Sequence, residues 1–460
     1  MFAIPSIALL VVFMIVKPQE FVPMLQRVPF LHLFTVFAVL GYIVDVRLRR
    51  LQPRSANTLP WVVAFILWAI ISIALNTPDQ MTVRVLELAV LFAFYGVIAH
   101  GVQRFRTFQI VASVAAAACM FVAVVCLQQG FAPKQCVGGD ETDGDVEGEP
   151  DGRICDSNLD CRGPDAEPST EYRCEHVGLF GTYSVEGRVR YRGALKDPNE
   201  VALTVSAGAI ALLIGFTMRR RGKPIIQFVF WTCVVLAVVT VFMTQSRGGL
   251  VSLMLVPGVY LIRRYGAAIV IPASLVAIPI LMFAGRSGAD AEVSTEMRYE
   301  AWAKGLDLWH HNLLFGVGPR QFGAHHFLTA HNAFVLTLAE LGFVGMFLFT
   351  VIIYLCVKTL IVGLRAIEGV PGTAAPKVWG MALLAAMTGI VFQINTLSFA
   401  YHQVLWMFFG LVGAWYSAVR HHQPELEIRL KLQEVVAIAV SCLLYALVIL
   451  PIFLTLKGEM

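Results

Sequence analysis

Long apolar runs alternate with short polar segments along almost the whole chain. A membrane-spanning helix needs about 20 mainly apolar residues, so each run is a candidate span. The first run has no basic segment before it and no small-residue cleavage site after it, so we interpret it as a helix rather than a signal peptide. The pattern predicts thirteen spans, or twelve if the first or last run does not cross the membrane: 2–16, 28–44, 59–75, 85–99, 110–128, 201–218, 225–243, 250–262, 267–284, 333–357, 378–396, 402–419 and 434–456.

Composition supports this pattern. The 460 residues are 57% hydrophobic and 14% charged, and their mean hydropathy is +0.71, whereas soluble domains are about 25% charged. The net charge of +4 comes from short basic clusters between apolar runs, which argues against a nucleic-acid-binding face. The predicted fold class is an all-α polytopic membrane protein.

Lysine and arginine collect after every even-numbered span. By the positive-inside rule, these loops and the N-terminus lie in the cytoplasm, and the odd-numbered loops lie outside. The basic residues are Arg47, Arg49, Arg50, Arg54, Arg104, Arg106, Arg219, Arg220, Arg221, Lys223, Arg263, Arg264, Lys358, Arg365, Arg420, Arg429 and Lys431.

Four of the nine cysteines fall in the single polar loop after the fifth span, whereas the other five lie in spans as packing residues. Four cysteines in one loop predict two disulfides, which require an oxidising compartment, and three pairings are open. The basic clusters independently place this loop outside. The disulfide candidates are Cys136, Cys155, Cys161 and Cys174.

The same loop is acidic, with thirteen Asp or Glu against three Arg between residues 140 and 175. Acidic runs are usually solvated, so we interpret the loop as a disulfide-containing insertion. Its every-second-residue carboxylates also resemble calcium loops, without the glycine and final glutamate of an EF-hand. A structural calcium ion is therefore an alternative, with candidate ligands Asp140, Asp143, Asp145, Asp156, Asn158 and Asp160.

Three separate outer segments supply arginine at the bilayer boundary. Arg188, Arg190 and Arg192 precede the Asp197-Pro198-Asn199 turn, TQSRGGL contains Arg247, and the polar stretch between spans nine and ten contains Arg298 and Arg320. Arginine binds phosphate oxygens through paired, charge-assisted hydrogen bonds and stays ionised. The clusters indicate a bound diphosphate, and the alternative for any one arginine is contact with lipid headgroups.

The stretch from Arg298 to Glu340 ends in His331-Asn332 just before the tenth span. Neutral imidazole is suited to accept a proton near pH 7. The alternatives are that His331 only begins the helix and that Asn332 caps it, while Glu340 is expected to face the bundle interior. The stretch has no HExxH or comparable ligand spacing, so we expect metal-independent chemistry.

The order of these motifs resembles the O-antigen ligase and polymerase family of bacterial inner-membrane proteins. The matching features are Arg192-Gly193 with Asp197-Pro198-Asn199, Ser246-Arg247-Gly248, Arg298 and Trp302, FGVGPRQF, His331-Asn332-Ala333-Phe334 and Glu340-Leu341-Gly342. The large acidic insertion departs from the family pattern.

The resemblance implies a glycosyltransferase of the integral-membrane GT-C group with its site in the periplasm. The donor would be a polyprenyl (undecaprenyl) diphosphate-linked oligosaccharide, held by Arg192, Arg247 and Arg298. His331 would be the base or would position the acceptor. The supporting residues would be Asn332, Asp197, Arg320 and Glu340. Asp197 is expected either to orient Arg192 or to cap the sixth span.

The predicted activity is inverting polymerisation of surface polysaccharide repeat units in the inner membrane. An O-antigen ligase that transfers the glycan to lipid A core is the alternative, and a lipid-linked glycan transporter or flippase is a further one. Expected partners are the bilayer, donor, acceptor and a chain-length regulator protein, with no cofactor. The predicted organisation is N-terminal helices 1–128, insertion and Arg-rich segment 129–197, central helices 198–284, catalytic loop 285–332 and C-terminal helices 333–460.

Overall fold

The structure is a computed structural model that describes residues 1–52, 54–139, 148–162, 170–218, 222–284 and 289–459. These residues form a helical bundle with one small sheet. The helices are α1 Ala3–Ile15, α2 Phe30–Arg47, α3 Leu59–Asn76, α4 Met81–Gly101, α5 Phe105–Gly130, α6 Pro198–Thr217, α7 Pro224–Met243, α8 Arg247–Tyr265, α9 Val270–Ala284, α10 Ala289–His311, α11 Ala333–Ala366, α12 Ala374–Gln393, α13 Gln403–Val419 and α14 Leu432–Lys457.

Nine of the described helices are long and apolar enough to cross a membrane, namely α2 to α7, α11, α12 and α14. The prediction of a polytopic helical membrane protein is therefore confirmed. The other four predicted spans are also helices. Of these, α1 and α13 have 13 and 17 residues, fewer than the roughly 20 of a typical span. The segment 285–332, predicted as a loop, contains the 23-residue helix α10.

Helix α13 lies at the centre of the bundle, where every residue from Val404 to Val419 is buried. Its glycines permit close packing on α4, because a Cβ at Gly410 or Gly413 would press against Ile98 or Ala99. A helix buried on all sides is typical of the core of a large bundle. The site described below lies at one end of this core.

The described residues of the insertion between α5 and α6 form a small sheet and short helical turns. Strands β1 Lys134–Gly139, β2 Glu149–Ile154 and β3 Glu171–His176 form an antiparallel sheet in the order β2-β1-β3, which the sequence did not predict. The two predicted disulfides are present and join Cys136 to Cys161 and Cys155 to Cys174. We call the end of the bundle that carries this sheet the insertion face.

Two reciprocal hydrogen bonds fix the insertion to the bundle. The backbone N–H of Arg190 donates to Gln129 Oε1 at 3.0 Å, and Gln129 Nε2 donates to the Arg190 carbonyl at 3.1 Å. The Arg190 guanidinium lies 4.3 Å from the centroid of the Tyr183 ring and donates to the Tyr183 carbonyl. Arg190 therefore has a structural role.

Helix α11 is broken at Gly342, whose φ of +67° and ψ of −170° are not helical. The segment 313–318 packs into the break, where Phe343 N donates to the Leu313 carbonyl at 2.9 Å. A Cβ at residue 342 would collide with the Leu314 carbonyl, so the position needs glycine on two counts.

The backbone groups released by this break find other partners. Gly318 N donates to the Glu340 carbonyl at 2.9 Å, and Trp68 Nε1 on α3 donates to the Leu341 carbonyl at 2.9 Å. Non-helical backbone within a membrane protein requires such internal partners. The loop before α11 is thereby held to the helix that follows it.

Candidate active site

Three helices begin at the insertion face with a side-chain oxygen as the cap. Asp197 accepts the backbone N–H two residues on at 2.8 Å, Ser246 accepts the one three residues on at 3.0 Å, and Asn332 accepts the one two residues on at 2.9 Å. Such oxygen acceptors are the preferred helix caps. The predicted capping roles of Asp197 and Asn332 are therefore confirmed, for α6 and α11 respectively.

Small residues bring the starts of α6 and α8 together. Gly249 lies so close to Ala202 that a side chain at 249 would overlap it. A Cβ at Gly248 would lie 3.1 Å from Thr396 Oγ1, just past α12, and Gln393 Nε2 donates to the Asn199 carbonyl at 2.8 Å. The starts of α6 and α8 and the end of α12 are thus one packed unit.

The backbone of His331 is held in a strained conformation. Its φ is +43°, in the left-handed region that residues other than glycine adopt uncommonly. Its N–H donates to Ser398 Oγ at 2.9 Å, and the neighbouring Ala330 carbonyl accepts from Trp302 Nε1 on α10 at 2.7 Å. Such strain concentrates at functional sites, where the surrounding structure imposes it.

His331 and Asp197, which are far apart in sequence, meet at this point. His331 Nδ1 lies 3.9 Å from Asp197 Oδ2, and the two side chains are 18% and 26% exposed. The separation is too long for a hydrogen bond but within reach of a strong charge interaction. Because Oδ1 of Asp197 caps the start of α6, a single carboxylate both caps the helix and faces the imidazole.

The surroundings of His331 favour its neutral form. Burial is the largest cause and lowers the pKa of His331 to about 4, Asp197 opposes this by raising the pKa, and Arg298 lowers it. The imidazole is therefore neutral near pH 7 and can accept a proton. Asp197 is placed to stabilise the imidazolium that would form.

Arginines flank this pair. Arg298 on α10 is close enough to affect the pKa of His331, and Arg247 is the exposed first residue of α8. Arg188 was not among the predicted donor-binding residues, yet its Nη2 lies 3.5 Å from Asn199 Oδ1 at the start of α6. The signal for it was present, since it belongs to the arginine cluster that precedes the Asp197 turn.

One known protein family matches part of the chain. Residues 231–350 match the family model described as O-antigen ligase. The chain carries an O-antigen ligase domain. The family predicted from the motifs is confirmed, and the domain indicates a membrane glycosyltransferase of the O-antigen ligase or polymerase type. No curated protein matches the chain.

The O-antigen ligase domain includes most of the predicted site residues, whereas Arg192 and Asp197 precede it. Arg192 Nη2 donates to the Gly181 carbonyl at 2.5 Å and its Nη1 to the Glu20 carbonyl at 3.4 Å. Among the described contacts, Asp197 does not orient Arg192, which was one of its two predicted roles; Asp197 faces His331 instead.

Two further predicted residues support the loop of the O-antigen ligase domain before α11. Glu340 is buried, as predicted, and its Oε1 accepts from Phe322 N at 3.0 Å. Arg320 Nε lies 3.0 Å from Glu87 Oε2 on α4. Sequence reasoning missed Tyr401, whose pKa is raised well above its usual range by burial and by Glu340. These contacts position the loop.

The calcium candidates are only partly within the described residues. Asp140, Asp143 and Asp145 lie outside them. Asp160 Oδ2 accepts from Asp156 N at 2.9 Å, and this bond is the first cause that lowers the pKa of Asp160. Asn158 Oδ1 accepts from Cys174 N at 2.8 Å. These oxygens have a structural use in the turn, and calcium binding stays a prediction.

Proposed function

We propose that this protein transfers a glycan from a polyprenyl diphosphate, such as undecaprenyl diphosphate, to a sugar hydroxyl at the insertion face. The observation that carries the proposal is the placement of His331 against Asp197 at the start of α6, with Arg298 beside them. Helix starts and guanidinium groups both favour anions. An anionic donor therefore fits this end of the bundle.

The insertion face would be periplasmic in a bacterial inner membrane. Its two disulfides require an oxidising compartment. The clusters of Lys and Arg follow the opposite ends of the spans, which is the cytoplasmic pattern. Both arguments favour the same orientation.

In this proposal Arg247 and Arg298 hold the donor diphosphate, and Arg188 orders the start of α6 beside them. Breaking the anomeric C–O bond places negative charge on the leaving diphosphate oxygens. Fixed guanidinium groups stabilise this charge at its site of formation. The role of Arg192 would be indirect, because its described contacts are with Gly181 and Glu20.

His331 would act as the general base. Its Nε2 takes the proton of the acceptor hydroxyl while the hydroxyl oxygen forms a bond to the anomeric carbon, and the diphosphate leaves with the electrons of the broken bond. Asp197 stabilises the resulting imidazolium. The bound diphosphate would itself raise the pKa of His331 and strengthen the base. Attack opposite the leaving group would invert the anomeric configuration.

Two acceptors fit this chemistry. Repeat-unit polymerisation, in which the acceptor is a second lipid-linked glycan, is our first candidate because the insertion departs from a plain ligase pattern. Transfer to lipid A core is the second candidate, and the description of the matched family model favours it.

The test is glycan transfer by purified protein in EDTA, with a polyprenyl-diphosphate oligosaccharide as donor and either acceptor. His331→Ala is expected to lower the rate by about 100-fold or more, because it removes the general base. His311→Ala on α10 is the matched control, since that side chain is 75% exposed. Laddered products on the carrier identify a polymerase, and glycosylated lipid A core identifies a ligase. Carrier movement across the bilayer without transfer to either acceptor would contradict the proposal and support a transporter.

A further inference from the structure

A cleft on α10 lies outside the site described above. Its volume is about 390 Å³, within the range of roughly 300 to 1,000 Å³ typical of ligand sites. Glu300, Lys304 and Asp307 line it at helical spacing, and His326 and Glu459 also line it. None of these five side chains has a role in the proposed transfer.

His326 gives the cleft a buried hydrogen-bonding nitrogen. Its side chain is 8% exposed, and its Nδ1 is engaged by Leu328, whose N lies at 3.0 Å and whose carbonyl oxygen lies at 2.9 Å. Nε2 is buried and has no hydrogen-bond partner among the described residues; it lies 3.7 Å from Glu300 Oε1. A buried polar group of this kind is available to a partner from outside the chain.

The charges of the cleft disfavour an anionic ligand. Lys304 Nζ and Asp307 Oδ2 form an ion pair at 2.9 Å, so their charges offset each other. Glu300 and Glu459 add two further carboxylates, which would repel phosphate or uronate. The cleft therefore differs from the arginine-flanked start of α6.

The polar atoms are also too dispersed for a metal ion. In the described part of the chain, the only three potential ligand atoms within 4.8 Å of one another belong to Cys136, Cys155 and Cys161, which are disulfide-bonded. Carboxylate acceptors and the imidazoles of His310 and His326 spread around a cleft suit a ligand with many hydroxyl groups. The 64% exposed ring of Phe327 stacks on His326 and offers an apolar face to such a ligand.

We infer that this cleft is a subsite for an uncharged, hydroxyl-rich segment of the glycan whose reactive end lies at His331. The inference rests on the proposed function. His326 and His331 belong to the same short loop, and α10 holds that loop through Trp302 on a face different from the one that lines the cleft. A glycan bound in the cleft would therefore contact the loop that carries His331, and its reactive end would extend around α10 to that residue. The segment could belong to the donor or to the acceptor.

The first experiment fills the cleft without removing a polar group. Ala303→Trp adds bulk to its lining, and Val293→Trp, at a 47% exposed position on the same helix, is the matched control. The probe is the free oligosaccharide released by mild acid from the lipid-linked donor, and its binding to protein in nanodiscs is measured calorimetrically. Ala303→Trp is expected to weaken binding about tenfold or more by steric exclusion, and Val293→Trp to leave it unchanged.

Glu300→Ala guards against misfolding of the tryptophan variant, because that side chain is 59% exposed and tolerates truncation. It removes a hydroxyl acceptor and is expected to weaken binding about three- to tenfold. In transfer assays, Ala303→Trp should raise KM for only the substrate that occupies the cleft. Lengthening donor and acceptor separately identifies which one that is.

The subsite would be refuted if Ala303→Trp bound the probe as tightly as the wild type does. It would also be refuted if the wild-type protein were active in transfer but did not bind the probe. A different result would support the subsite and refute the proposed transferase: the wild-type protein binds the probe but transfers to neither acceptor, and both cleft variants lose probe binding. The two failures are therefore distinguishable.

Discussion

Replacing Asp197 with asparagine tests the partnership with His331 most directly. Asparagine is as good a helix cap as aspartate, so Asp197→Asn retains the hydrogen bond that begins α6. The substitution removes only the negative charge that faces Nδ1 of His331. Any loss of transfer then reports the electrostatic contribution of this carboxylate.

The expected magnitude follows from the separation of the two groups. Opposite charges 3.9 Å apart attract by about 1 kcal/mol in water and about 4 kcal/mol at an effective dielectric of about 20. Both side chains are mostly buried, which places the expected loss at about 2 to 3 kcal/mol of transition-state stabilisation. The rate should fall by about 30- to 150-fold.

The pH dependence of this loss is also defined. Asp197 raises the pKa of His331, so its removal lowers a pKa that is already about 4. The free imidazole is then neutral from pH 6 to pH 8 in both proteins, and the loss in kcat/KM should be constant over that range. The assay is the initial rate of transfer across this range, with the melting temperature of each protein as the folding control.

Two results would refute the reasoning. A variant that transfers at the wild-type rate would show that the carboxylate does not act on the imidazole. A loss that disappears as the pH rises would show that the substitution changes the protonation state of a resting group instead of destabilising the imidazolium in the transition state.

Two further predictions concern the break in α11 and the arginines. Gly342→Ala should destabilise the protein by about 1 to 3 kcal/mol, because φ is +67° there and a Cβ would meet the Leu314 carbonyl. Gly96→Ala is the control, because a Cβ at that position meets nothing. Equal melting temperatures of the two variants would contradict this explanation. Arg298→Ala should lower donor binding by about tenfold or more. Arg320→Ala should lower it much less, because Arg320 pairs with Glu87. Competition by polyprenyl diphosphate measures both variants, and equal losses would contradict the placement of Arg298.

The sequence was sufficient for the membrane helices because a long apolar run has few alternatives to a spanning helix. The two disulfides also followed from the cysteine count, although their pairing required the structure. Helix α10 was missed because its many charged residues conceal it from a hydropathy test and its outward face is polar. The sheet was missed because acidic, glycine-rich strands resemble a solvated loop.

The site was predictable residue by residue but not as an arrangement. Asp197, Asn332 and His331 were found individually, since each precedes an apolar run that begins a helix. Their meeting depends on the packing of α6 and α8 against α12, which sequence spacing does not encode. Arg188 and Arg192 could not be distinguished either, because residues four apart share a face only in a regular helix or strand, and the segment that contains them is irregular.

The break at Gly342 divides α11 into two parts with different functions: the first holds the preceding loop, and the second spans the membrane. Residues 343–366 alone rise about 36 Å, more than the roughly 30 Å of a hydrocarbon core. This part is therefore long enough to cross the membrane by itself, and insertion by the translocon does not depend on the turns before Gly342. The turns from Ala333 to Glu340 can therefore change their polarity at little cost to membrane insertion, so the contacts that hold the preceding loop can vary in evolution while biogenesis stays constant.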